Sequence, residues 1–498
     1  MDRAELSVGI IEELGQLFVD ALKRNAARLV ESDFDGIERQ LQEMARSVFG
    51  PVVEQTVFAI ARAYAYRSEV PICAKCHQRM RLVDSQRPRS LQGLVGDYRI
   101  ARSYYVCELC HEGLAPLDEH LGLGAGALSP GLERVACRLG IDDSFAEAVD
   151  ALEETLGVIL ADEPMRRVTE GIGQVAEAEA QSAISLAQSG KDPLPSLPSL
   201  PSLPSLPSLP SLPKEAVKAS ATTLLVEVDG TMVHEVDGQW HEAKSGLAAP
   251  LGPELHEDEQ TGRQTLVMGS ASYCVGFESA DLFWYRVYVE ACRRGLGTAL
   301  VSLVVVLGDG AEWIWHYASA FLALAGVGVI EIVDIYHAFE HLEVVAKAVF
   351  GQGTEAAKGW VGPLKQQLEK LGAAPILTAL GALSPQDAKA SEEVRKAIDY
   401  FTDNASRMDY PRFVELKLPI GSGAVESSCR TVIQEREKGA GMRWTEEGAR
   451  AVASLRAVYK SGRWKEFWKA HPQRRRPAVF PRHKPKALTP ANLAKQAA

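Results

Sequence analysis

Three carboxylates stand out by their neighbours. Asp229 follows an apolar run in Val228-Asp229-Gly230, Asp309 follows another in Gly308-Asp309-Gly310, and Glu426 lies in Ile420-Gly421-Ser422-Gly423-Ala424-Val425-Glu426-Ser427. An Asp-Gly step after a strand is, taken alone, a turn signal. Two aspartates that close strands, with a glutamate about one turn into a helix opened by a glycine-rich turn, are a different matter. Such a trio can hold two Mg²⁺ (or Mn²⁺) ions roughly 3.5–4 Å apart. The pair activates a water or a 3′-hydroxyl on one side and stabilises the leaving oxygen on the other.

The segment Asp334-Ile335-Tyr336-His337-Ala338-Phe339-Glu340-His341 reads in two ways. Asp334 and His337 form an Asp-x-x-His pair beside the carboxylates, with His337 able to touch phosphate or move a proton. Alternatively His337-x-x-Glu340-His341 is an inverted zinc-peptidase motif, two histidines on Zn²⁺ and a glutamate activating water. That reading leaves Asp229, Asp309 and Glu426 without a task. The cysteines pose a separate question. Cys73-Ala74-Lys75-Cys76 and Cys107-Glu108-Leu109-Cys110 are separated by 30 residues, a spacing that suits one tetrahedral structural Zn²⁺. Each pair is followed by a histidine, His77 or His111, which also matches a c-type haem attachment site. Haem attachment needs export, and Met1-Asp2-Arg3-Ala4-Glu5 offers no signal peptide. Cys137, Cys274, Cys292 and Cys429 are scattered and expected to be core thiols.

These groups need elements to position them. Residues 1–70 carry apolar positions such as Ile10, Leu14, Leu17, Phe18 and Leu22 at helical spacing. Residues 71–115 hold the two cysteine pairs and the strand-like Tyr98-to-Val106 stretch, a zinc ribbon, and 116–190 return to helical pattern. A Leu-Pro-Ser triplet repeats from Leu194 to Ser211 within a 191–214 linker. Proline at every third position favours polyproline II, a semi-rigid spacer of roughly 60 Å at ~3.1 Å per residue. After it, Thr222–Val228 reads as a strand, Gly230–Lys244 as a hairpin turning at Asp237-Gly238, and Gln264–Tyr273 as a third strand. Helix (279–294), strand (301–307), helix (311–324) and strand (327–333) follow. This order predicts an α/β RNase H-like core from 215 to 345, an all-α insertion over 346–404, and the final part of the core with the Glu426 helix over 405–445.

Charge is divided along the chain. From Asn404 to Ala498 there are 20 Lys or Arg against 8 Asp or Glu, a balance of +12, which leaves −23 for the rest of a chain whose total is −11. An acidic body with a basic end suits a protein that holds a polyanion at one place. Beside the Glu426 helix, Arg430, Arg436, Lys438 and Arg443 are placed to meet phosphates, and Trp444 to stack on an unpaired base; a solvated helix face over a buried Trp is the equal alternative. Residues 446–498 end the chain as a basic segment that includes Arg474-Arg475-Arg476. No run approaches ~20 uncharged apolar residues, so neither membrane spanning nor secretion is expected.

Taken as ordered strings, the chain resembles bacterial insertion-sequence transposases of the DDE type, specifically the ISKra group, relatives of the Mutator-like transposases. The strings are Arg102-Ser103-Tyr104-Tyr105 between the cysteine pairs, Pro116-Leu117-Asp118-Glu119, Val228-Asp229-Gly230-Thr231, Gly308-Asp309-Gly310-Ala311-Glu312-Trp313, Asp334-Ile335-Tyr336-His337, Arg407-Met408-x-Tyr410, Gly421-Ser422-Gly423-x-Val425-Glu426-Ser427 and Lys438-Gly439-Ala440-Gly441-Met442-Arg443-Trp444. The resemblance implies that Asp229, Asp309 and Glu426 are the catalytic triad and Asp334 with His337 an accessory pair. It implies a homo-oligomer in the bacterial cytoplasm that binds the terminal inverted repeats of its element and target DNA. A domesticated descendant that binds DNA without cutting is the rival from the binding class. The Leu-Pro-Ser tract, and acids at Glu435 and Glu437, depart from the family's pattern.

Overall fold

The computed structural model describes residues 3–65, 70–124, 126–188, 223–258, 262–298, 300–323, 326–385, 387–421, 429–439 and 441–474. The Leu-Pro-Ser linker, Glu426, Arg475 and Arg476 lie outside the described residues. Two compact units are present, one of residues 1–169 with 465–498 and one of residues 170–464.

In the first unit, α1 (Arg3–Glu31) and α2 (Phe34–Ala65) precede a three-stranded antiparallel sheet, β1 (Arg81–Gly93), β2 (Gly96–Val106) and β3 (Gly113–Leu114). β2 contains the strand-like Tyr98-to-Val106 stretch, and β1 adds a 13-residue partner before it. Leu91, Tyr98 and Ile100 bury one end of this ribbon, and the cysteines occupy the other. Arg89 and Arg102 both donate to Asp118 in α3 (Pro116–Leu121), at 2.7 and 2.9 Å, and all three side chains are largely shielded from water. That ion triad gives a physical role to Arg102 and Asp118, each of which sits in a string of the family resemblance. α4 (Pro130–Gly140) and α5 (Phe145–Leu156) start at serine caps and close a small core around Leu132, Ala148 and Leu152 with the start of α6 (Asp162–Gln188).

The second unit is built on a six-stranded mixed sheet of order β6-β5-β4-β8-β9, with β7 also on β5. β4 (Thr223–His234), β5 (Trp240–Glu257), β6 (Gln264–Met268) and β7 (Ser272–Gly276) pair antiparallel, and β8 (Leu303–Gly308) and β9 (Gly328–Val333) add in parallel to β4. The near-continuous apolar runs Leu224-Leu225-Val226 and Leu303-to-Leu307 are what a sheet covered on both faces requires. α7 (Ala280–Arg293) packs against β5 and β7, and α8 (Glu312–Ala323) follows β8. Then come α9 (Ile335–Phe350), α10 (Glu355–Leu371), α11 (Ala374–Gly381) and α12 (Ala388–Asp403), a helical stretch without strands, as expected. α13 (Tyr410–Glu415), a π-helical turn (Cys429–Gln434), α14 (Glu446–Lys460) and α15 (Trp464–Arg474) follow among the described residues.

Two sequence expectations are corrected. The Gln264–Tyr273 strand is two strands, parted where Gly269 N–H donates to the Pro250 carbonyl at 2.8 Å. Asp229 does not close its strand either. β4 runs on to His234 because β5 continues the ladder, with Gly230 opposite Lys244; only the parallel partner β8 stops, its last rung with β4 being Glu227–Leu307.

Candidate metal centres

The four cysteines come together. Cys73 Sγ lies 3.3 Å from Cys110 Sγ, Cys76 Sγ 3.3 Å from Cys107 Sγ and 3.7 Å from Cys110 Sγ, and all are free thiols. Tetrahedral Zn–S bonds of 2.3 Å set sulfurs about 3.8 Å apart, so the cluster fits a structural metal such as zinc. Each knuckle repeats one backbone device. The amide of Cys73 donates to the Gln78 carbonyl and that of His77 to the Cys73 carbonyl; Cys107 to Glu112 and His111 to Cys107 copy them. His77 (φ 59°) and His111 (φ 60°) take the left-handed conformation that turns the chain back. This accounts for the two Cys-x-x-Cys-His strings without haem. Amides of the second knuckle, first that of Cys110, hold the Cys107 thiol down to about 6, toward the thiolate a metal requires.

The aspartates are placed by register. The last rung of β4–β8, Glu227–Leu307, lies two residues before both Asp229 and Asp309, and the charge of Asp309 reaches Asp229. The last rung of β8–β9 is Gly308–Val333, one residue before Asp309 and Asp334, and the Asp334 amide donates to the Gly308 carbonyl at 2.8 Å. Asp309 and Asp334 thus follow the C-terminal ends of β8 and β9, with Asp229 just past the parallel part of β4, where open α/β sheets bind ligands; among the described residues the three carboxylates do not gather into one group of ligand atoms within 4.8 Å. Burial pushes the Asp229 carboxyl up; the Cys429 thiol opposes this by donating to it, and the charge of Asp309 adds to it. Asp334 is buried and caps α9, accepting from Tyr336 N–H at 2.7 Å. His337, in the first turn of α9, is half exposed and its charge reaches Asp229.

Other elements hold these aspartates. Tyr400 of α12 donates its hydroxyl to the Asp309 carbonyl at 3.0 Å and stacks on His341 with ring centroids 3.7 Å apart. Its ring fills the space beside Gly310 (φ 101°), where a Cβ would sit 2.6 Å from it. Tyr410 donates to the Val333 carbonyl at 3.0 Å, and Arg407 pairs with Glu331 on β9 at 2.7 Å. Gly421 and Cys429 lie on either side of the segment that carries Glu426. The Ile420 carbonyl accepts from Ile335 N–H at 2.9 Å, next to Asp334, while Cys429 meets Asp229. Behind Cys429, buried Arg456 of α14 donates to the carbonyls of Thr431 and Val432 in the π-helical turn. Such turns often mark functional sites.

Glu227 escaped the sequence reading. It precedes Asp229 by two residues on the same strand face, is buried, and neither carboxylate oxygen has a hydrogen-bond partner among the described residues. Burial, then the charge of Asp334, raises its carboxyl well above the usual range. A single glutamate in Leu224-Leu225-Val226-Glu227-Val228 was the available signal.

The remaining expected residues divide. Arg430, Lys438 and Arg443 are exposed, as phosphate contacts must be. Arg436 and Trp444 are inside: the guanidinium lies 4.7 Å from the indole centroid and Trp444 Nε1 donates to the Glu437 carbonyl at 3.3 Å. A buried Trp was the bland alternative, and it is the arrangement found. The helix required by the His337-x-x-Glu340-His341 motif is present, but among the described residues no third ligand gathers with the two histidines. Trp315 is core and Trp313 packs against it. Among the described residues no helix is long and apolar enough to cross a membrane. No protein-family model matches the chain, and no curated protein does.

Proposed function

We propose that the protein is a DNA transposase that cuts and joins phosphodiesters at an RNase H-like centre formed by Asp229, Asp309 and Glu426. The observation that carries the reading is the placement of Asp229, Asp309 and Asp334 where the parallel pairing of β4, β8 and β9 ends, with the charge of Asp309 reaching Asp229, Ile420 bonded beside Asp334 and Cys429 donating to Asp229. Burial and the charge of Asp309 push the Asp229 carboxyl up, and buried Glu227, near the charge of Asp334, has no hydrogen-bond partner among the described residues; a bound cation would relieve this concentration of carboxyl groups. Asp229 and Asp309 are the residues to hold Mg²⁺ or Mn²⁺, with Glu426 as the third ligand; the ions would supply the charge that activates the attacking oxygen and steadies the leaving one. The chain's own groups do the rest. Cys429 and the Gly230 amide orient the Asp229 carboxylate, Tyr400 fixes the backbone of Asp309, and His337 stands exposed to touch phosphate or carry a proton. Arg430, Lys438 and Arg443 supply exposed cations for the DNA backbone, about one phosphate contact each. The finer assignments, terminal inverted repeats and target DNA as partners, a homo-oligomer, and a place on the bacterial nucleoid, rest on the family resemblance.

Labelled duplexes taken from the DNA on either side of the gene, incubated with the full chain and Mg²⁺ or EDTA, test this. Metal-dependent nicking at a repeat boundary that falls at least about a thousandfold in Asp309→Asn, some 4 kcal/mol of barrier, is the expected result. Repeat binding without nicking would replace the transposase by a non-cleaving DNA-binding protein, and neither would sink both.

A further inference from the structure

A second polar cluster lies away from the strand-end aspartates, at the tip of the β4–β5 hairpin. His241 Nε2 is 3.0 Å from Asp237 Oδ2 and 3.8 Å from Glu235 Oε2, and one ligand atom from each of the three residues falls within 4.8 Å of the others. Tetrahedral Zn²⁺ with N and O ligands at about 2.0–2.1 Å separates its ligands by about 3.3 Å, between the two measured distances. The tip is rigid. Glu235 N–H donates to the Gln239 carbonyl, Gly238 N–H to the Glu235 carbonyl, Gln239 N–H to Asp237 Oδ1, and Val236 N–H to the Trp444 carbonyl, all between 2.8 and 3.1 Å.

What sets this apart from an exposed histidine-aspartate pair is Glu235. It is only 6% exposed, its other oxygen faces His241, and its Oε1 has no hydrogen-bond partner among the described residues. Wholly buried Glu437, also with both carboxylate oxygens unpartnered, feels the charge of Glu235, and Glu446 adds its charge to Glu235 and His241. Arg450 is the positive group acting on Glu235 from the α14 side. Burying a carboxylate without a donor is costly, and a cation shared with two ligands on a fixed turn removes the cost.

We infer that Glu235, Asp237 and His241 form a binding site for a divalent transition metal, independent of the cysteine cluster and of the strand-end aspartates. One imidazole and two carboxylates are the donor set of Zn²⁺ or Mn²⁺ rather than of Mg²⁺ alone. With Asp237 and His241 exposed, the remaining coordination position opens to solvent, where water or a ligand oxygen completes it. Metal there ties β4 to β5 beside Trp444.

The test is calorimetric titration of Zn²⁺ into the full chain with its cysteine site already zinc-loaded and Asp229→Asn with Asp309→Asn removing two of the proposed ligands at the other centre. One further binding event is expected, weakened roughly 10–100-fold or more in His241→Gln and in Asp237→Asn. Both side chains are about half exposed, so neither variant threatens folding. Absence of the event, or an isotherm unchanged by His241→Gln, overturns the site and leaves a hydrogen-bonded ion pair.

Discussion

The cysteine cluster and the aspartates around the ends of β8 and β9 are both sets of candidate metal ligands, built in opposite ways. The cysteines come from two copies of one local turn, 30 residues apart, each closing on its own amides. The aspartates come from three strands spread over more than a hundred residues, and depend on Tyr400, Tyr410 and Cys429 arriving from elsewhere in the chain. A local site carries its geometry with it, whereas a distributed one inherits geometry from the whole unit. The two should therefore fail differently.

The largest effect belongs to the local site. Cys107→Ser removes a ligand from a cluster with little core of its own beyond Met80 and the partly buried Tyr105 and Leu114. Structural zinc contributes about 10–16 kcal/mol in small domains, so the ribbon should lose its zinc and become open to protease between residues 71 and 115. Elemental analysis and limited proteolysis check this. Retained zinc, or an intact ribbon without it, would end the claim that metal holds these strands.

The distributed site is expected to fail by degrees. Arg456→Met leaves the carbonyls of Thr431 and Val432, just past Cys429, without their donor in a buried place. Breaking such a buried charged contact costs about 3 kcal/mol, read as a lowered midpoint in urea unfolding of the full chain. Tyr400→Phe is milder. It deletes the hydrogen bond to the Asp309 carbonyl while keeping the ring on His341 and Gly310. If the proposed chemistry holds, nicking should slow by about tenfold, one hydrogen bond's worth, with zinc content unchanged. A rate equal to wild type would show that Asp309 does not need its backbone held.

The same contrast explains what was legible. Cys-x-x-Cys spacing encodes a turn, so the cluster could be read from residues alone, and the left-handed His77 and His111 only looked like haem ligands because a histidine tolerates that conformation. Asp229, Asp309 and Asp334 were legible as carboxylates after apolar runs, and the helix-strand order that aligns them was too. Tyr400, Cys429, Glu227 and Arg456 were not, because their roles depend on contacts between elements far apart in sequence. Arg436 and Trp444 show the limit from the other side: charge suggested a surface, but which way a side chain faces near a π-helical turn is decided by packing.

The last expected effect concerns Glu437, and it is one of slope, at most about 1.4 kcal/mol across any one pH unit. Burial raises its carboxyl well above the usual range, against the pull of Arg436 and Arg456. Below about pH 4.5 the folded and unfolded chains both hold this proton. Above it the unfolded chain releases the proton while the folded one keeps it, so the folded state binds more protons and stability falls as pH rises, by up to about 1.4 kcal/mol per pH unit, until the folded group itself ionises. Glu437→Gln has no proton to lose. Thermal melts should find the variant gaining on the wild type between pH 5 and pH 8, with little difference near pH 4.5. A gap that stayed constant with pH would mean that Glu437 is ionised in the fold and paired with Arg436, placing a salt bridge where a neutral acid is expected.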